Sequence, residues 1–282
     1  MKLERNRSFS LLVLSLTVLF SSVLVAAQTA PPLVLNPMND HFQLPPGSSY
    51  EDSFVITNEG AEARTVEINL VSFTLTEGGS FKALTEEDKS KYDLSEYVTY
   101  TPRAVEIGAG DTAEIRYSVE LPPDVSGIPR WAALIVSSDE ATETTQQGGE
   151  SMSFQINLNF SYVFALFQHS ASPGNVTGQL DQITTEYEQG DARNTLTVSV
   201  PFTNNSDVIA EATTYIEVRN DAGEKVLRHD FSADKLILPE GKRVFSHTFT
   251  DPELESGQYL VLGVVDYGGS NNLAGQALLQ VP

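Results

Sequence analysis

Residues 152–166 read Met-Ser-Phe-Gln-Ile-Asn-Leu-Asn-Phe-Ser-Tyr-Val-Phe-Ala-Leu. Every even position, from Met152 and Phe154 through Ile156, Leu158, Phe160, Tyr162 and Phe164 to Leu166, is apolar or aromatic. The odd positions Ser153, Gln155, Asn157, Asn159 and Ser161 are polar. A period of two marks a strand with one apolar face, and a helix, with its period of 3.6, does not fit. Strands usually have about five or six residues. A run this long either spans the height of its domain or projects beyond its own sheet toward a partner. The first alternative puts the apolar face into its own core, with Tyr162, Phe164 and Leu166 packing a hinge against a second domain. The second makes Phe154, Ile156, Leu158, Phe160, Tyr162 and Phe164 a client-binding strand.

The flanks fit both alternatives. Residues 137–151 (SSDEATETTQQGGES) are polar and acidic and read as a loop. After Phe167 the pattern breaks at Gln168-His169-Ser170-Ala171-Ser172-Pro173-Gly174, where a domain boundary is placed. The domains so defined are 28–170 and 171–282.

Elsewhere the chain reads as short strands between Gly, Pro, Asn and Asp turns. Ile115, Tyr117, Val119 and Leu121 alternate with Glu114, Arg116, Ser118 and Glu120, a half-buried strand. Residues 131–136 are apolar on both faces, as a strand covered on both sides would be. Val66, Ile68 and Leu70 share one face, but Phe73 and Leu75 take the opposite phase. That slip predicts a bulge or a change of sheet near Val71. Phe54-Val55-Ile56-Thr57-Asn58 has a counterpart in Val200-Pro201-Phe202-Thr203-Asn204, and the turns at Gly110 and Gly127 in Gly241 and Gly257. One plan used twice, about a hundred residues each time, predicts an all-β chain of two tandem immunoglobulin-like sandwiches.

The first 27 residues read as an export signal. Lys2, Arg5 and Arg7 precede an apolar stretch from Ser8 to Val25, with a small-residue cleavage site at Val25-Ala26-Ala27. An uncleaved membrane anchor is the alternative. The expected location is periplasmic or extracellular. With no Cys in the chain, lipidation at cysteine, disulfides and thiolate chemistry are excluded. The 17 Lys and Arg face 38 Asp and Glu, a formal net charge of −21. Such a surface repels the phosphates of nucleic acid and of anionic lipids. No calcium-loop motif accompanies the acidity.

Nothing in the sequence assembles a catalytic set. The four histidines are scattered: His41 and His169 fall in expected loops, His229 on a polar strand, and His247 between Phe245 and Phe249. No nucleophile elbow, zinc-protease motif or phosphate loop occurs. No enzyme activity, metal or cofactor is expected. Trp131, Tyr97 and Tyr100 offer flat faces for a glycan, although Trp131 opens an apolar strand and suits a core.

The order of several motifs resembles the PapD-like superfamily of two-domain periplasmic chaperones. They are Pro46-Gly47 before Phe54-Val55-Ile56-Thr57-Asn58, Gly110-Asp111-Thr112 before Ile115-Arg116-Tyr117, Leu121-Pro122 with Gly127, and Gly257-Gln258-Tyr259 through Val265-Asp266-Tyr267-Gly268. The resemblance implies that the alternating strand completes an envelope client, such as a pilin-like subunit, by strand addition. It also implies a basic pair that holds the client's terminal carboxylate. Here the chain departs from the pattern, because no Arg or Lys occurs between Gln28 and Ala63 or between Trp131 and Ala192. A structural or adhesive envelope module, recognising protein or glycan through loops, is the other reading.

Overall fold

A computed structural model describes residues 33–138, 141–145, 154–158, 161–231 and 235–282. The first group of strands is β1 (Leu33–Asn36), β2 (Asn39–Gln43), β3 (Ser49–Asn58), β4 (Arg64–Val71), β5 (Phe73–Leu75), β6 (Phe81–Ala83), β7 (Val98–Thr101), β8 (Ala104–Ile107), β9 (Thr112–Glu120), β10 (Arg130–Ser138), β11 (Ala141–Thr145), β12 (Phe154–Leu158) and β13 (Ser161–His169). They form facing sheets of order β1-β3-β9-β7 and β2-β13-β10-β4-β8, while β5 with β6 and β11 with β12 make separate two-stranded ladders. The alternation read in β9 is real: Ile115, Tyr117 and Val119 are buried and Glu114, Arg116 and Glu120 exposed. Across the two sheets Phe54 stacks on Phe164, ring centroids 4.1 Å apart.

The second group comprises β14 (Gly178–Leu180), β15 (Thr184–Gln189), β16 (Asn194–Asn204), β17 (Ala210–Arg219), β18 (Lys225–Asp230), β19 (Lys235–Ile237), β20 (Lys242–Thr250), β21 (Gly257–Asp266) and β22 (Leu273–Val281). One sheet is β14-β16-β15 with β20 also on β16, and the other β18-β17-β21-β22 with β19 also on β17. The chain is thus all-β and built as two tandem immunoglobulin-like sandwiches, each with its own apolar core.

The repeated Thr-Asn ending has a repeated job. At the end of β3 the Asn58 amide donates to the carbonyls of Glu62, Ile107 and Gly108 and accepts from the Gly60 N–H. At the end of β16 the Asn204 amide donates to Val208, Ile237 and Leu238 and accepts from the Ser206 N–H and hydroxyl. Both are fully buried, so alanine in either place orphans several carbonyls away from water. Asn58→Ala and Asn204→Ala should each lower stability by about 1–3 kcal/mol in a urea melt. A loss within the roughly 0.5 kcal/mol of an ordinary surface change would contradict that role.

In the second sandwich His229 on β18 and His247 on β20 stack face to face across the two sheets, with centroids 3.5 Å apart and planes at 7°. Phe231 and Phe249 meet these rings edge-on. Burial first, and His229 second, push the His247 pKa below its usual value. A histidine held neutral by the fold contributes fully above about pH 6.5, and its contribution is lost as pH falls, because the unfolded chain takes the proton first. The melting temperature should therefore drop between pH 7 and 5, and drop less in His247→Phe. An identical drop in the variant would place the acid sensitivity elsewhere.

The phase slip after Val71 is a change of sheet: β4 ends there, and Phe73 begins the β5–β6 hairpin, which turns through Gly79 at φ 81°. β10 is apolar on both faces because both are covered. Ala132, Leu134 and Val136 enter the first core, while Trp131 and Ala133 join Phe73, Tyr92 and Phe167 against Ile209 and Leu238 of the second sandwich. Around this joint Tyr92 donates its hydroxyl proton to Asp207 at 2.6 Å, and the Val244 N–H donates to the Glu77 carbonyl. Burial, then the bond to Asp207, push the Tyr92 pKa up to about 12.

Candidate functional site

The site is built from the pairing of β13. One edge of this strand is bonded to β10 from Ser161 to Gln168. Its other edge carries β2, in parallel, only from Ala165 to His169. Residues 161–164 therefore have a strand on one side alone among the described residues, and β12 pairs only with β11. Ser137 opposes Ser161 in one ladder and Ala141 opposes Leu158 in the other, so the two ladders are offset by one residue.

The cover stops at Ala165 for a local reason. β1 belongs to the facing sheet and β2 to this one, and the chain crosses between them at Pro37 and Met38. Proline has no N–H to extend a ladder. The Met38 carbonyl accepts from the Ala165 N–H at 3.1 Å, and the Tyr162 hydroxyl accepts from the Leu33 N–H at 3.2 Å. Met38 is 64% exposed and Val34 41%, two of the few large apolar side chains on the described surface.

Protein edges are ordinarily guarded by lysine, inward charges or proline. Between Glu150 and Asp181 the chain has no charged residue, and its first proline after Glu150 is Pro173. The backbone polar groups of an edge are strong hydrogen-bonding sites, and this one lacks those guards.

The expected site residues separate. Phe164 is fully buried in the first core, packed on Phe54 and Tyr117, so it is core and cannot meet a client without unfolding. Tyr162 is half-buried at the margin of that core. Phe154, Ile156 and Leu158 lie on β12. Phe160 lies outside the described residues. Within the long run two strands are described, β12 in the ladder with β11 and β13 in the ladder with β10, and residues 159 and 160 between them lie outside the described residues. The hinge is packed by Val163, Ala165 and Phe167, the odd positions, and not by Tyr162, Phe164 and Leu166. The signal was available in the sequence, since from Val163 onward both phases are apolar.

Trp131 is core, as its place at the start of an apolar strand suggests: it is 4% exposed, stacked on Tyr92 at 4.9 Å and bonded through its indole N–H to the Phe73 carbonyl, which leaves no face for a glycan. One further expectation is corrected: His41 and His169 do not lie in loops. They sit on β2 and β13 with Nδ1 of His41 and Nε2 of His169 2.9 Å apart. The sequence hid β2 because, of Asn39–Gln43, only Phe42 is fully buried.

No family model matches the chain, and no curated protein does. Among solved structures it is similar to the class 5 fimbriae chaperone CfaA, with 14% identity, 89% of this chain and 99% of that one covered, and a TM-score of 0.40. It is also similar to the YadV chaperone, with 13% identity, 88% and 100% coverage and a TM-score of 0.42. The E. coli chaperone DraB matches at 14% identity, 89% and 96% coverage and a TM-score of 0.39.

Proposed function

We propose that this protein is an exported, non-enzymatic binding factor that takes an extended segment of an envelope protein, a pilin-like subunit being the model client, onto the open edge of β12 and β13. The observation that carries the reading is the uncovered edge at 161–164, continuous in sequence with β12, whose pairing is to β11 alone among the described residues. Strand addition supplies main-chain hydrogen bonds for affinity and alternate side chains for selectivity. The even positions Phe154, Ile156 and Leu158 supply the alternation, and exposed Val34 and Met38 lie on β1 and on the crossover that follows it. The acidic chain favours clients of neutral or basic character.

The test is capture. Tagged protein should retain a client from its native envelope, and Ile156→Ser with Leu158→Ser should lose it. Capture undiminished in that variant would contradict the reading. Export is tested separately, by terminal sequencing of the protein recovered outside the cytoplasm, which should begin at or near Gln28. An intact Met1 in the membrane fraction would favour an anchored form.

A further inference from the structure

The cover on β13 is itself fastened by a titratable couple. His41 lies on β2 opposite Phe167, and its ring stacks on Phe167 at 4.7 Å. The His41 and His169 nitrogens approach to 2.9 Å while the ring centroids are 5.2 Å apart, so the two nitrogens lie almost on the line joining the rings. That alignment holds one proton, donated by one imidazole and accepted by the other. A second proton would set N–H against N–H across the same gap.

The charged groups acting on the couple are Asp40, on β2 itself, and Glu211, on β17 of the second sandwich. Both favour protonation of His41, and Glu211 that of His169; desolvation is the larger influence and pushes both histidines down although His41 keeps an exposed face, and the 2.9 Å contact between the nitrogens is the single-proton bond. The Asp40 carboxylate is already occupied, accepting from the hydroxyls of Tyr50 and Tyr117. Against opening stand the buried Phe42 and the bond from the Gln168 amide to the Leu44 carbonyl.

We propose that the His41–His169 couple is a proton-operated fastener of β2 on β13, so that acid loosens β2 and lengthens the open edge of β13 beyond Phe164. Above about pH 6.5 the couple is closed, and as pH falls the opened form, whose imidazoles are ordinary, takes up protons that the closed form resists. What the longer edge is used for rests on the strand-addition reading; the fastener does not.

Backbone amide hydrogen exchange on the mature protein, corrected for intrinsic rates, tests it without a client. From pH 7.5 to 5 the amides of Asn39–Gln43 should lose protection by about tenfold or more. Those of β9 should hold theirs. In His169→Phe and in His41→Phe, which keep a ring but cannot titrate there, the β2 loss should shrink to less than twofold. The inference is overturned by unchanged β2 protection in the wild type, by an equal loss in both variants, or by an equal loss in β9. A failed client capture with a pH-sensitive β2 would sink the function and leave the fastener standing.

Discussion

Phe164→Ala should unfold the first sandwich under mild conditions, with a loss of about 3–5 kcal/mol. The side chain is fully buried, stacked on Phe54 across the two sheets and packed beside Tyr117. Truncation removes the transfer energy of an aromatic ring and leaves a cavity where the sheets meet. A domain holds roughly 5–15 kcal/mol in total, so most of the margin goes. A denaturant melt of the purified variant measures the effect. A shift under about 1 kcal/mol would mean that the ring is not core and would return Phe164 to the binding surface.

The opposite result is expected six to eight residues earlier. Ile156→Ser with Leu158→Ser should leave the melting temperature within about 2 °C of the wild type and reduce client capture on the order of tenfold or more. β12 belongs to neither sheet of the first sandwich, so a change there does not touch the ladders that hold the fold together. Collapse of the double variant would place those side chains in a core and make strand lending by this face untenable. On the proposed function, one apolar run would divide into a structural part and a binding part. Stability measured beside capture distinguishes them.

Much of the fold could be read from alternation. β9 and β10, the sheet change after Val71 and the paired Asn58 and Asn204 strand ends are all local signals, because side-chain period and turn chemistry are local properties. The membership of β12 and β13 in different ladders could not be read so. Whether a strand continues in one ladder or passes into another depends on where its neighbours end. β2 ends its cover of β13 at Ala165 because of a crossover some 125 residues away in sequence, a separation over which periodicity carries no information. The histidine couple was hidden for the same reason. His41 and His169 meet only because β2 runs parallel to β13, and a polar five-residue strand announces itself weakly. Trp131 joins the core that its apolar strand suggests, packed with Ile209 and Leu238 of the second sandwich.

Site-specific photocrosslinking addresses the edge directly. A photoreactive residue at Ser161, which is exposed beside the open segment, should trap an envelope polypeptide in living cells. Mass spectrometry should map the attachment to an extended, alternating segment of that client. The same group at Leu278, an exposed residue on β22 of the other sandwich, should trap little. Equal trapping at Leu278, or trapping at Tyr97 and Tyr100 with none at Ser161, would contradict the strand edge and favour recognition through loops.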